Sequence, residues 1–468
     1  MPEHTRWPWE AWPPLLAGLL WLWLGAGGGF PGALLSLPPG VLLLGAGASL
    51  LLMPGDRRIA NLAALGGLLG VLLALPAAAA VGLAPALALL LASAAGAVAA
   101  GAHAVRLEPN LDEVPEPVRG LRLAAEVAVD EALMASMLLS IPFPRHAEYA
   151  RLRREAEEAR EQFEAQGFLE KPAGYHREPP PLTRPDLRPA RSRGQAYEHL
   201  AFESGYEPRA GEPGRERWLG YAPNRTAHAW VLRHPGAARP WLVCLHGYQM
   251  GIPLVDWACF PPAWLHRGLG LNLLVPVLPL HGPRKIGRRS GDGFLSGDTL
   301  DTLHAQAQAL WDVRRLLAWV RSQGEATVGV LGYSLGGCGA ALLASLEGEL
   351  ACAIPGIPVA DFSRLFYRHG PALELRSAEQ AGLLEDSMRA VLRPVTPLAL
   401  APRIPPGRRY LFGAVADRIT PPDHVRDLWR HWERPPIAWY QGGHVSFRAH
   451  PEVRQLIERG LRESGLVG

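Results

Sequence analysis

Three residues of this chain, Ser334, His444 and Asp417, have the types and spacing to do nucleophilic chemistry together. Gly332-Tyr333-Ser334-Leu335-Gly336-Gly337 follows the apolar run Val328-Gly329-Val330-Leu331 and opens an Ala/Leu-rich stretch. A strand that turns at once into a helix leaves little room beside the turn, which gives glycine at 332 and 336 a steric reason. Ser334 would then stand exposed at the corner, with a helix N-terminus favouring negative charge behind it. A hydroxyl needs a base, and the base needs an orienting carboxylate. His444 ends Tyr440-Gln441-Gly442-Gly443-His444 and Asp417 ends Gly413-Ala414-Val415-Ala416-Asp417, each just past a run that reads as a strand. The competitors are weaker. Asp361 also follows a strand, Asp423 falls in the next helix, His450 sits where the last helix is capped, and Cys338 falls inside the helix after Ser334.

Acyl transfer also needs donors aimed at the tetrahedral oxyanion. The backbone N–H of Leu335 is the natural first, and that of Tyr248, in Leu245-His246-Gly247-Tyr248, is the second. His246 precedes the serine in the chain and reads as a residue that orients this loop. A further loop, Leu280-His281-Gly282-Pro283-Arg284-Lys285-Ile286-Gly287-Arg288-Arg289, is basic. His281, Arg284, Lys285 and Arg288 are candidate contacts for an anionic substrate group or lipid headgroup. The alternative is an interior pair of an arginine with Asp292 or Asp298 that fixes the loop.

These residues must be positioned by alternating strands and helices. Strands are expected at 218–222, 227–233, 240–245, 271–276, 327–331, 351–355, 408–413 and 436–440, with helices at 299–322, 335–347, 421–433 and 450–464. Uninterrupted apolar strands suit a mostly parallel, doubly wound sheet covered on both faces, an α/β domain over 215–468. Residues 356–407 interrupt the strand pattern and are expected to form a cap. The order Ser, Asp, His along the chain, with each residue at a strand's C-terminal end, fits a functional edge of such a sheet.

The N-terminal part is different. Between residues 11 and 105 the only charged side chains are Asp56, Arg57 and Arg58. Four apolar stretches, 11–29, 34–53, 59–78 and 82–105, each approach the ~20 residues that a helix needs to cross a bilayer. Residues 1–106 therefore read as an all-α transmembrane region with divisions at Gly27–Gly32, at Pro54–Arg58 and near Pro76; because 59–105 carries no charge, a single long span there, giving three helices in place of four, is the alternative. Arg6, Arg57, Arg58, Arg106, Arg119 and Arg122 all fall on one side if four helices cross, which makes that side, and the α/β domain, cytoplasmic. Trp7, Trp9, Trp12, Trp21 and Trp23 suit an interfacial belt. Residues 107–214 read as a connection, with helices at 121–139 and 145–167 and a Pro/Arg-rich irregular stretch at 172–193.

A formal net charge of +3 is too small to imply a nucleic-acid partner, and the sequence offers no basic patch with interleaved aromatics. Cys244, Cys259, Cys338 and Cys352 have no metal-ligand spacing, and with Cys244 and Cys352 in strands they read as reduced thiols. Asn224-Arg225-Thr226 has the form of a glycosylation acceptor, which has no consequence on a cytoplasmic face.

The residues at 246–248, 332–337, 417 and 444 resemble those of the α/β-hydrolase superfamily over roughly residues 215–465. The resemblance implies an α/β-hydrolase fold and acyl transfer to water through a serine ester, with no metal and no organic cofactor. Leu278-Pro279-Leu280-His281-Gly282-Pro283-Arg284-Lys285 is similar to the corresponding loop of the α/β-hydrolase domain-containing 18 type, proteins associated with membranes and lipid deacylation. With the membrane region, this makes a lipid or other amphiphilic acyl ester the expected substrate and the bilayer a partner. A thioesterase, a serine peptidase and an inactive membrane scaffold with a hydrolase fold are the alternatives. A topology reporter fused after Gly468 is expected to read cytoplasmic; a periplasmic or lumenal signal overturns the four-span arrangement.

Overall fold

The computed structural model describes residues 9–53, 55–236, 238–324 and 326–468. Arg6 and Trp7, expected to flank the first span, and Pro54, expected at a turn, lie outside the described residues. The chain divides into two compact units: residues 1–140, 414–422 and 439–451 form the first, and residues 141–413, 423–438 and 452–468 the second.

The first unit is built on helices α1 (Trp12–Gly27), α2 (Gly29–Leu52), α3 (Arg57–Val81), α4 (Leu83–Leu107) and α5 (Leu121–Leu138). Among the described residues three of them, α2 to α4, are long and apolar enough to cross a membrane, which marks a multi-pass membrane region. Helix α1 is apolar but has 16 residues, a rise of about 24 Å. The sequence sets the breaks. The Asp56 side chain caps α3 by accepting from the Arg58 N–H at 3.0 Å, and Gly82, at φ 89°, separates α3 from α4. The break expected near Pro76 therefore falls at Gly82. Pro76 stays inside α3, whereas the Gly82 conformation is one that side-chain-bearing residues rarely adopt.

The interior of this bundle is made of small residues and its outside of large apolar ones. Helix α3 buries Ala60, Ala63, Ala64, Gly67, Gly70 and Ala74, while Leu75 and Leu83 are 81% and 83% exposed. A Cβ at Gly67 would lie 2.7 Å from the Ala97 Cβ, so the backbones of α3 and α4 approach as membrane helices do when small residues line the contact. In water the outer face would be an aggregation surface. Trp9, Trp12 and Trp23 are exposed, but Trp21 is 1% exposed and donates to Ser93 Oγ at 2.8 Å. Trp21 is thus a polar tie inside the bundle and not part of an interfacial belt. Glu10 pairs with Arg106 at 2.8 Å and Arg57 with Glu108 at 3.5 Å. These pairs bring the starts of α1 and α3 and the end of α4 to one level.

The second unit is an α/β-hydrolase-like fold. The strands of the chain are β1 (Asp186–Ser192), β2 (Gln195–Glu203), β3 (Thr226–Leu232), β4 (Trp241–Leu245), β5 (Asn272–Val277), β6 (Val328–Tyr333), β7 (Cys352–Gly356), β8 (Leu411–Ala414) and β9 (Ile437–Tyr440) among the described residues. Among the described residues they form one sheet of order β1-β2-β3-β5-β4-β6-β7-β8-β9. The run from β1 to β5 is antiparallel, and β5, β4, β6, β7 and β8 are parallel. Strands β4, β5 and β6 are buried along their whole length, as strands covered on both faces must be. The helices are α6 (Tyr149–Ala165), α7 (Arg215–Gly220), α8 (Pro253–Cys259), α9 (Thr299–Ser322), α10 (Leu335–Leu346), α11 (Phe362–His369), α12 (Ala372–Gln380), α13 (Glu385–Leu392), α14 (Pro422–His431) and α15 (Pro451–Glu463).

Two local readings of the sequence are corrected. Residues 218–222 are not a strand: α7 and a turn at Ala222–Arg225 occupy them. Trp218 is buried there, donating to Gln308 Oε1 at 2.9 Å, and a short apolar run does not distinguish a strand from a helical turn. The stretch 172–193 is not wholly irregular, because β1 begins at Asp186. Its pairing with β2 is closed by Arg193 (φ 43°) and Gly194 (φ 83°), the two positive-φ residues of a tight hairpin turn. Asn224 is 2% exposed and its Oδ1 accepts from the Leu280 N–H at 2.9 Å, so the apparent sequon is interior.

The interior of this unit holds a charge pair at Arg284. Arg284 is fully buried and meets Asp312 at 2.9 Å, while its other donors reach the carbonyls of Val277 and Asn224, each at 3.0 Å. Asp312 also accepts from Ser204 Oγ at 2.6 Å. Removing one partner of such a pair leaves a buried charge unmet, which costs about 3–5 kcal/mol. Arg284→Met is expected to lower the unfolding free energy of the detergent-solubilised protein by about that amount; a change of less than about 0.5 kcal/mol in denaturant titration, the scatter of surface substitutions, would show that the pair does not hold the loop.

Candidate active site

Ser334 connects β6 directly to α10 with φ 57° and ψ −115°, a left-handed conformation that a side-chain-bearing residue holds only under constraint. The constraint is visible on both sides. A Cβ at Gly332 would lie 2.0 Å from the Gly336 carbonyl oxygen, and one at Gly336 would lie 2.0 Å from that of Leu245. The corner closes because both positions are glycine. The Ser334 N–H donates to the Gly356 carbonyl at 3.0 Å, and its own carbonyl accepts from Cys338 at 3.0 Å and Val359 at 3.3 Å.

Strand β4 lies between β5 and β6, so the chain leaves β4 towards one side of the sheet and reaches β6 on the other. That is a topological switch point, where an open parallel sheet offers a crevice beyond its strand ends. The loop after β4 lies beside Ser334: a Cβ at Gly247 would come 3.7 Å from the Ser334 Cβ. His246 in this loop is fully buried. Its Nδ1 meets the Gly247 carbonyl at 2.8 Å and its Nε2 accepts from the Leu278 N–H at 3.1 Å, with burial pushing its pKa down to about 4. A neutral ring with both nitrogens engaged orients the loop and has no lone pair for a base. Asp256 supports the same loop, accepting from Gly251 N–H at 3.0 Å and Trp230 Nε1 at 2.8 Å. The Leu335 N–H, first in α10, has no intrahelical acceptor and can serve an oxyanion, as can that of Tyr248 on the neighbouring loop.

The basic loop divides. The His281 ring is buried against Tyr248, with centroids 5.8 Å apart, and its Nδ1 meets the Pro279 carbonyl at 2.8 Å. Lys285 and Arg288 are exposed, with Lys285 Nζ donating to the Arg288 carbonyl at 3.1 Å. Arg284 does not fit the expected contact with an anionic substrate or headgroup, because Asp312 holds it in the interior. Nor is its partner Asp292 or Asp298. Asp292 accepts from the Arg289 N–H at 2.9 Å, and Asp298 meets Arg151 and Arg217, each at 3.1 Å.

The histidine and aspartate expected as base and orienting carboxylate, His444 and Asp417, belong to the first unit. His444 Nδ1 lies 2.7 Å from Asp417 Oδ2. Asp417 is 1% exposed, and its Oδ1 accepts from the N–H groups of Ile419 at 2.9 Å and Thr420 at 2.8 Å. Thr420 Oγ1 lies 3.2 Å from Asp417 Oδ2 and 3.1 Å from His444 Nδ1. Burial works to lower the His444 pKa. The Asp417 charge and hydrogen bond, with the Asp130 charge, outweigh it and hold the imidazole above its usual range. The competitors are occupied: Asp361 caps α11 at the Arg364 N–H, 3.0 Å away, Asp423 meets Arg364 at 3.1 Å, and His450 meets Glu126 at 3.1 Å.

Sequence reasoning missed what surrounds this pair. Asp130 on α5, fully buried, accepts from the backbone N–H of His444 at 2.5 Å, of Val445 at 3.3 Å and of Arg418 at 3.3 Å. Its neighbour Glu131 binds Arg418 Nε at 2.5 Å, and Glu108 binds the same guanidinium. The signal was present: Asp130-Glu131 interrupts the otherwise apolar Val127-Ala128-Val129…Ala132-Leu133-Met134, and adjacent carboxylates on a buried face require partners. Among the described residues no group of three or more His, Cys, Asp or Glu side chains is arranged to hold a metal.

The sequence matches no known family profile. Two relatives from Mycobacterium tuberculosis, uncharacterized protein MT2702 of strain CDC 1551 / Oshkosh and uncharacterized protein Rv2627c of strain ATCC 25618 / H37Rv, are each 41% identical over 358 residues, covering 76% of this chain and 86% of the relative. Similar solved structures include an acetyl xylan esterase from Paenibacillus sp. R4, 17% identical over 62% of this chain and 98% of that one, with a TM-score of 0.40. Acetyl xylan esterase 1 from Thermoanaerobacterium sp. JW/SL YS485 is 15% identical over 70% of this chain and 96% of that one, with a TM-score of 0.41. At 41% identity over most of both chains, this protein belongs to the family of the uncharacterized M. tuberculosis proteins MT2702 and Rv2627c.

Proposed function

We propose that this protein is a membrane-anchored serine hydrolase that cleaves carboxylic esters, with a lipid or other amphiphilic acyl ester as its substrate. The observation that carries the reading is the Ser334 corner, where a side-chain-bearing residue is held at φ 57° between β6 and α10. Backbone strain of this kind is kept where the surrounding structure enforces it for a task. The hydrogen-bonded Asp417–His444 pair, following the serine in the chain, supports it. In the reaction His444 takes the proton as Ser334 Oγ attacks the ester carbonyl, and Asp417 steadies the imidazolium. The N–H groups of Leu335 and Tyr248 receive the oxyanion. The alcohol leaves with the proton from His444, and water then releases the acid by the same steps.

In this reading α1, with the turn Trp9–Ala11 before it, crosses the bilayer with α2 to α4. Arg57 and Arg106 at one end of the bundle make that end, and the hydrolase, cytoplasmic. The helices keep the site near amphiphiles, the segment 356–407 caps it, and exposed Lys285 and Arg288 are the remaining candidates for anionic headgroups. The narrower relation, to the α/β-hydrolase domain-containing 18 type, rests on the loop 278–285 alone.

A fluorophosphonate probe is expected to label the detergent-solubilised protein and not Ser334→Ala, whose ester turnover should fall by roughly 10³-fold or more. Folded wild-type protein that is not labelled would be a scaffold and not an enzyme. Because the imidazole must be neutral to act, its raised pKa places the acid limb of kcat/KM for p-nitrophenyl esters above the ordinary histidine value of about 6.5. Exclusive turnover of short acyl chains, with none of phospholipid or long-chain ester, would overturn the substrate class; preference for thioesters or acyl peptides would reassign it.

A further inference from the structure

Helix α5 lies far from the hydrolase motifs in sequence, yet its Asp130 carboxylate touches the backbone of the proposed base. Resting on the serine-hydrolase reading above, we propose that Asp130 is a positioning residue for that reaction: it fixes the His444 main chain and places a second negative charge beside the imidazole. The geometry is specific. Asp130 receives three consecutive-loop amides, those of His444 (2.5 Å), Val445 (3.3 Å) and Arg418 (3.3 Å), so one carboxylate joins the loop carrying the base to the loop carrying its acid partner. The fit leaves no space for substitution: a Cβ at Gly443 would lie 2.6 Å from Asp130 Oδ2. The glycine before the histidine is therefore there to admit this carboxylate.

The charges around it give the contact a second role. Asp417 and Asp130 both face His444, and both raise its pKa. Arg418 approaches Asp130 only through its N–H, because its guanidinium turns to Glu131 and Glu108. Beyond Gly442 lie Glu126 and His450, paired with each other at 3.1 Å, and Arg122 holds Glu126 from the outside at 2.9 Å. No arginine or lysine side chain among the described residues is paired with Asp130 itself, and burial, followed by the Asp417 charge, pushes its own pKa up. When ionised, Asp130 favours the imidazolium that forms as the serine attacks. This carboxylate reaches the base from its backbone side, leaving Nδ1 to Asp417 and Nε2 to the reaction.

The test compares Asp130→Asn and Asp130→Glu in the full-length protein in detergent, with p-nitrophenyl butyrate as substrate and fluorophosphonate labelling of Ser334 as the control. Asp130→Asn removes the charge and is expected to lower kcat by roughly 10²-fold with little change in KM, and to move the acid limb of kcat/KM to lower pH. Asp130→Glu keeps the charge but displaces it by a methylene, so kcat falls while the acid limb stays near that of wild type. A residue that merely holds the fold would alter thermal stability without moving that limb. Wild-type kcat and an unmoved acid limb in folded Asp130→Asn overturn the proposal while labelling of Ser334 leaves the hydrolase reading intact. If Asp130→Asn does not fold, Asp130→Glu decides alone, and an unchanged kcat overturns the proposal. No labelling of the folded wild type overturns both.

Discussion

A carboxylate removed from water has to be met by donors, and the first unit is arranged around two that are. Asp417 spends one oxygen on the N–H groups of Ile419 and Thr420 and the other on His444 and the Thr420 hydroxyl. Asp130 spends its oxygens on amides of both loops. A buried carboxylate without donors is costly; these two hold their loops in place because the loops supply the hydrogen bonds. Around them the formal charges do not balance. Glu108, Glu131, Asp130 and Asp417 face Arg418 and Arg57, with His444 able to supply one more positive charge. The neighbouring carboxylates, Asp417 first, make the imidazole hold its proton more tightly than a free histidine would, and burial, followed by the Asp417 charge, does the same for Asp130.

How much of this was legible from sequence depended on whether the signal was local. The corner at Ser334 was, because glycines at 332 and 336 and an apolar run before them are all its geometry needs. The core strands were too, since β4 and β6 are buried on both faces and read as unbroken apolar runs. Strand β1 was not: it contains Pro189, carries four exposed residues in its pattern, and exists because β2 pairs with it. Its trace in sequence was the Arg193-Gly194 turn, which the surrounding proline and arginine obscured. Residue 218 failed for another reason, as a buried tryptophan serves a helical turn and a strand equally well.

Arg284 and Asp130 failed in opposite directions, and both failures concern pairing. A run of basic residues suggested a surface meant for anions, yet only the interior could show that Asp312 had already claimed one of them. An acidic pair on a helix drew no attention, although a carboxylate set among Val127, Ala128, Ala132 and Met134 cannot be solvated there. Contacts between residues about 290 positions apart, such as Arg418 with Glu131, leave no periodic trace. What the sequence does carry is the cost that such a partner must offset, and that is the more useful clue.

The two buried charge systems consequently have different uses. Around Arg284 one cation meets one anion, and carbonyls and a hydroxyl take up most of the remaining hydrogen-bonding capacity. Such an arrangement serves to lock the loop after β5 against the sheet. Around His444 the anions exceed the arginines, and the imidazole lies where its positive form is favoured by two carboxylates at once. A balanced pair gives rigidity; an unbalanced cluster gives a group whose proton can be taken up and released at modest cost. In the proposed reaction a general base needs the second kind of environment, and helix α5, through Asp130, helps to supply it.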